Sequence, residues 1–230
     1  MDNTSAFTSN TIYHMLKDEI LNLNIKPGQQ ISESEICERF HVSRTPVRTA
    51  FQRLKDAGLL HIIPYKSTSA TLLDFDQINQ LIYMRIAIET MVIRDLIQTI
   101  DSLTIEKIRY ILKHQEILLA GTFEADEFYA IDSKLHNIWF DYTKKLLLWK
   151  AIQKAQVNYT RFRMLDIVEA QNFQEIYLEH IELFDAIVRK DIEIIEPLMR
   201  KHLYGGIKRL GNRIHTEFAD YFVKKEEPMF

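Results

Sequence analysis

Ser32-Glu33-Ser34-Glu35-Ile36-Cys37-Glu38-Arg39-Phe40-His41-Val42-Ser43-Arg44-Thr45-Pro46-Val47-Arg48 holds two helix starts with a tight turn between them. Ser32 or Ser34 can cap the first helix, and Glu35 follows Ser32 at capping-box spacing. That helix is expected to run to about Phe40. His41-Val42 forms the turn and Ser43 caps the next helix. Pro46 falls in the first turn of that helix, where a missing N–H does no harm. A short helix, a tight turn and a second helix opening on basic and hydroxyl residues is the layout of a helix-turn-helix. In that motif the second helix enters the DNA major groove.

Reading outward, Ile12, Met15, Leu16, Ile20 and Leu21 recur at helical spacing, so a helix is expected over about 8–22. Lys26-Pro27-Gly28 closes it in a turn. Downstream, Val47, Ala50, Phe51, Leu54 and Leu59 give the second motif helix a buried face, and Gly58 stops it. Two short apolar runs, Leu59–Pro64 and Ser69–Leu73, flank the polar Tyr65–Thr68 and read as a β-hairpin wing. Beyond Asp74 helical periodicity dominates, with helices expected near 74–100, 103–120, 123–142, 145–166, 172–189 and 191–217. The fold class is therefore mainly α. A winged helix-turn-helix of three helices and a hairpin is expected over 1–73. An antiparallel all-helical bundle of six or seven helices is expected over 74–230.

The bulk numbers agree. Gly 6 and Pro 5 are few for 230 residues and favour long helices, while 47% hydrophobic residues support a real core. One cysteine, Cys37, excludes an intramolecular disulfide and fits a reducing compartment. No secretory signal and no apolar run of about 18 residues is visible, so a cytoplasmic protein without a membrane span is expected. The net charge of −3 speaks against nucleic acid, but its distribution does not. Arg44, Arg48, Arg53, Lys55 and Lys66 face a single acid, Asp56, across residues 44–66. Positive charge is thus concentrated where a DNA-reading helix and its flank would lie.

Arg44 and Arg48 are one turn apart and share the exposed face of the reading helix. Arginine is the best side chain for a bidentate grip on guanine. Ser43 and Thr45, at the helix start, suit phosphate oxygens. Lys66 suits the DNA backbone or the adjacent minor groove from the wing. A second constellation lies in the helical region. Asp132 and His136 stand i, i+4 on one face, and His180 and His202 sit on the last two helices. Three imidazoles and a carboxylate suit zinc first, and also nickel, manganese or iron.

From Leu23 to Leu60 the chain resembles the winged helix-turn-helix of the GntR family of bacterial transcription regulators. The resemblance rests on Ile25-Lys26-Pro27-Gly28, Ser32-Glu33, Val42-Ser43-Arg44-Thr45-Pro46-Val47-Arg48 and Leu54-x-x-x-Gly58-Leu59. It implies base contacts from Arg44 and Arg48 and a phosphate contact from Thr45. Thr49 stands where the family often has Glu, and Ser67 where its wing tip usually has Gly. Residues 74–215 resemble the FCD ligand-binding domain of the FadR-like branch. The signposts are Arg85-x-x-x-Glu89, Asp132-x-x-x-His136, Glu179-His180 with Ala186-Ile187 and Asp191, and Met199-x-x-His202-Leu203. This resemblance implies Asp132, His136, His180 and His202 as metal ligands. It also implies a small carboxylic acid as effector, with Arg85, Arg161 and Arg163 as candidate clamps.

Three readings follow. The first is a ligand-responsive, homodimeric regulator on an inverted-repeat operator, not an enzyme. The second keeps the DNA binding but makes the metal purely structural, or the signal itself. The third, a metal-dependent hydrolase, leaves the winged domain without a purpose.

Overall fold

The computed structural model describes residues 7–155, 157–170 and 172–224. They fall into two compact units. One runs to Phe75 and takes in the segment from Arg213; the other spans Asp76–Asn212.

In the first unit, α1 (Ser9–Leu21) starts at Thr8, whose side chain accepts from the Thr11 N–H. α2 (Glu33–Phe40) starts at Ser32, whose hydroxyl accepts from the Glu35 N–H at 3.0 Å. It ends at His41, which takes the left-handed conformation at φ 50° and turns the chain sharply. α3 (Arg44–Asp56) buries Val47, Ala50, Phe51 and Leu54 against α1 and α2. Gly58, at φ 72°, ends this helical stretch. The hairpin pairs β1 (Leu60–Ile63) with β2 (Ser67–Ala70) in the register Leu60↔Ala70 and Ile63↔Ser67. Ser67 is therefore not at the wing tip. The Lys66 N–H bonds back to the Ile63 carbonyl at 3.1 Å. That turn puts Pro64, Tyr65 and Lys66 at the tip, with Tyr65 in the left-handed region at φ 60°.

The loop before α2 adds a feature that the turn at Lys26-Pro27-Gly28 did not announce. Gly28 and Ile31 donate to carbonyls of Ala70 and Thr68, so this segment runs along the open edge of β2. Gly28 sits at φ 80°, and a Cβ there would meet the Leu72 side chain at 3.2 Å.

The second unit holds the remaining helices: α4 (Phe75–Thr99), α5 (Ser102–Leu119), α6 (Ala125–Tyr142), α7 (Leu146–Ala155), α8 (Val157–Ala170), α9 (Phe173–Val188) and α10 (Ile195–Leu210). The single helix expected over 145–166 is two. α7 is an outer helix that buries Ile152 alone, whereas α8 is buried on all sides from Tyr159 to Ile167. A helix buried all round occupies the middle of a bundle. α10 packs on α8 and α9, and α5 packs on α6 and α9, so the interior faces of α5, α6, α8, α9 and α10 converge.

The helix expected over 191–217 stops at Leu210, where Gly211 takes φ 49°. From Arg213 on, the chain groups with the first unit and not with the bundle that was expected to reach residue 230. Leu73 donates to the Tyr221 carbonyl at 2.8 Å and accepts from Val223 at 2.9 Å. Apolar burial fixes it there: Leu73, Phe218 and Phe222 are all buried, and the Phe222 ring meets Phe75 edge-on.

Candidate functional sites: a basic reading helix and a buried histidine cluster

α3 presents its basic residues opposite its buried face. Ser43, Arg44, Thr45 and Arg48 are all exposed, and Lys66 is exposed at the wing tip. Arg44 has no ion-pair partner among the described residues. Arg48 is held by its Nε, 2.9 Å from Glu33 on α2. Arg53 serves the fold instead: it stacks 3.9 Å over Tyr13 and donates to Asn10, tying α3 to α1. A cleft of about 790 Å³ opens between Arg48, the start of α2 and the hairpin.

The second site is interior. Asp132 and His136 on α6, His180 on α9 and His202 on α10 are buried, and one ligand atom from each lies within 4.8 Å of the others. Sequence reading named all four; the residues that orient them were missed as such. His136 Nδ1 bonds Glu89 Oε2 at 2.5 Å, His180 Nδ1 bonds Gln115 Oε1 at 3.0 Å, and His202 Nδ1 bonds Glu179 Oε2 at 2.9 Å. Each acceptor needs a proton on Nδ1. In the neutral tautomers so selected, every Nε2 carries a lone pair.

Those lone pairs face inward. His136 Nε2 and His202 Nε2 are 3.2 Å apart, a separation at which two acceptors repel. His180 Nε2 is buried without a hydrogen bond, although Asp132 Oδ1 lies 3.2 Å away. Zn–N bonds of about 2.0–2.1 Å place tetrahedral nitrogens about 3.3 Å apart. Inward lone pairs at this spacing, each backed by an outer acceptor, fit a metal ion.

Electrostatics maintain this state. Burial pushes the His202 imidazole down to about 3, and pushes His180 down as well. Burial alone would raise Glu89, but Arg85 and His136 outweigh it and bring its carboxyl to about 2. Asp132 is likewise held well below its ordinary range, with Arg163 outweighing burial.

A pH prediction follows for metal-free protein. Between the ordinary imidazole value of 6.5 and about 3, the unfolded chain takes up a proton that folded His202 refuses. The unfolded state then binds more protons, so stability rises with pH across that window. Stability present above pH 6.5 should be lost as the pH falls toward 3, and Glu89 extends the loss in the same direction. Urea unfolding in chelator at stepped pH measures this; a flat profile would contradict neutral buried imidazoles.

The three candidate effector arginines are placed differently. Arg85 Nε donates to Glu89 at 2.6 Å, and its Nη2 lies 3.2 Å from His136 Nδ1. Arg163 grips Asp132 with both terminal nitrogens, at 2.6 and 2.9 Å. Arg161, two residues from Arg163 and so on another face of α8, is fully buried, and burial pushes it down to about 10. Beside His202, Arg163 and Arg209 a cavity of only about 10 Å³ remains.

Residues 8–69 match the family described as bacterial regulatory proteins, gntR family, and residues 80–205 match the FCD domain. The chain belongs to the GntR family of regulators, with an FCD domain. It is 28% identical over 211 residues to the HTH-type transcriptional repressor RspR of Escherichia coli K12, covering 92% of each chain. To the uncharacterized HTH-type regulator YdhC of Bacillus subtilis it is 24% identical, over 83% of this chain and 85% of that one. Among solved structures, Escherichia coli McbR/YncC superposes with a TM-score of 0.68 at 18% identity, covering 90% of this chain and 98% of that one. A GntR regulator from Rhodococcus gives 0.67, also at 18% identity, over 88% and 97%. These two likenesses establish the shared fold. The protein is thus a DNA-binding transcription regulator of the GntR/FCD type. Its family and relatives are regulators and not enzymes, so the hydrolase reading falls. No helix among the described residues is long and apolar enough to cross a membrane.

Proposed function

We propose that this regulator acts in the cytoplasm as a homodimer on an inverted-repeat operator. Arg44 and Arg48 read bases, Ser43 and Thr45 bind phosphate at the start of α3, and Lys66 binds the flanking backbone. One reading helix covers one half-site, so two copies are needed. Its operator affinity is set by a divalent metal, zinc foremost, held by Asp132, His136, His180 and His202. A small carboxylate effector joins the metal. The observation that carries this reading is the buried cluster itself, with its four ligand atoms within 4.8 Å of one another and each imidazole Nδ1 held by an outer side chain.

A second reading, in which the metal alone is the signal, is favoured by one specific observation. The cavity beside His202 has room for about one water. A carboxylate therefore needs the surrounding side chains to yield before it enters.

The test is operator affinity, measured by fluorescence anisotropy on DNA selected from a random pool. Chelated protein, zinc-loaded protein and zinc-loaded protein with a carboxylic-acid panel are compared. Regulatory coupling is typically 5–150-fold. A change with zinc that an acid then modifies supports the first reading; a change with zinc alone supports the second. Equal affinity in every condition would sink the regulatory role of the cluster and leave DNA binding standing.

A further inference from the structure

The carboxylates around the histidines already have cations. Glu89 is paired with Arg85 and Asp132 with Arg163, while Glu179 shares Arg209 with Asp166, all buried or nearly so. Asp132 in particular has its own counter-cation before any metal enters.

Asp132 is where the conflict falls. Arg163 uses one lone pair on each oxygen, with Nη1 at 2.6 Å from Oδ2 and Nη2 at 2.9 Å from Oδ1. Oδ1 is also the oxygen nearest the imidazoles, 3.2 Å from His180 Nε2. A metal reaching Oδ1 at about 2.0–2.2 Å would come within about 5 Å of the Arg163 Nη2 nitrogen. Two like charges would then share one carboxylate in a dry interior, where repulsion is weakly screened. The Oδ2 bond can survive this approach, while the Nη2 bond to Oδ1 is opposed directly. Arg163 also has somewhere to lean: its guanidinium lies 5.4 Å over the Tyr129 ring, and it borders the small cavity beside His202.

Resting on the reading of this cluster as a metal site, we propose that Arg163 is a built-in competitor of the metal for Asp132. In the metal-free protein it stands in for the cation. Metal binding works against that hold and frees Nη2 as a hydrogen-bond donor beside the metal. Arg163 is therefore a positioning residue that suppresses metal affinity and becomes available to an anion only after the metal has bound.

Zinc affinity, read by competition with a fluorescent chelator, tests this without any DNA. Arg163→Gln should bind zinc at least ten-fold more tightly than the wild type. Arg163→Lys should fall between them, because an ammonium cannot hold both oxygens as a guanidinium fork does. Adding Asp132→Asn should abolish the gain, since no carboxylate is left to compete for. If Arg163→Gln does not fold, the sign of the Arg163→Lys change decides. Unchanged or weaker zinc binding in the variants, with the wild type binding normally, would overturn the proposal: Arg163 would then orient Asp132 for the metal. Zinc binding by Arg163→Gln but not by the wild type would be the extreme form of competition. No binding by either would refute the metal reading itself, and the proposal with it.

Discussion

Glu89→Ala should destabilise the helical unit by about 3–5 kcal/mol, the usual loss when one partner of a buried charge pair is removed. Glu89 is fully buried, and it serves two groups at once. Its Oε1 accepts from Arg85 Nε and its Oε2 from His136 Nδ1. Truncation leaves the Arg85 guanidinium, itself 2% exposed, charged and without this carboxylate. A loss of that size takes a large share of the 5–15 kcal/mol that holds a typical domain folded. It should lower the melting temperature by at least about 6 °C. The same change frees the His136 ring, whose tautomer Glu89 selects, so metal affinity should fall about 10–100-fold. Glu89→Gln separates the two effects. The amide can still accept from one donor, but it cannot neutralise Arg85. Thermal unfolding with and without zinc measures both effects, and a melting temperature within a degree of the wild type would show that Glu89 does not hold Arg85 in the core.

Much of this arrangement can be read from one strand of text, for reasons that are local. Ser32 and Glu35 are three residues apart, and a capping bond spans that gap. Arg44 and Arg48, like Asp132 and His136, are four apart and meet on one helix face. What the sequence hides is what the bundle assembles. Gln115 on α5 is an unremarkable amide until α9 brings His180 against it. Arg163 looks like an effector clamp, because nothing in the text says that Asp132, 31 residues earlier, already fills its fork. The wing tip falls before Ser67, not at it, for a different reason: Ser67-Thr68-Ser69 is polar on both faces, so no alternation announces where β2 begins. The division of 145–166 into α7 and α8 was hidden because both segments are helical, and periodicity does not tell an outer helix from a central one. The return of the C-terminal segment to Leu73 depends on a contact between residues far apart in the chain, and no local pattern encodes that.

The largest functional effect is expected on DNA. Arg44→Ala and Arg48→Ala should each weaken operator binding by about 1–3 kcal/mol, and the double change by about 2–6 kcal/mol if the two act independently. The pair is not symmetric. Arg44 is unpaired among the described residues and brings its full charge to DNA. Arg48 must first leave Glu33, 2.9 Å away on α2. That exposed pair is worth about 0.2–1 kcal/mol, so Arg48 should contribute less than Arg44 by a fraction of that amount. Glu33→Gln then becomes informative, because it releases Arg48 and removes a negative charge from the cleft beside it. It should strengthen binding, whereas the arginine changes weaken it. Base readout and phosphate attraction are told apart by sequence dependence. Losing a base contact relaxes preference at one operator position, while losing a phosphate contact, as in Lys66→Ala, weakens all sequences alike and lowers the salt slope by about one. Anisotropy titrations on the selected operator and on single-position variants, repeated at several salt concentrations, separate these outcomes. If Arg44→Ala lowers affinity for operator and random DNA equally, Arg44 is a phosphate ligand and the reading of bases passes to Arg48. If the double variant binds the operator as the wild type does, the exposed face of α3 is not the reading surface.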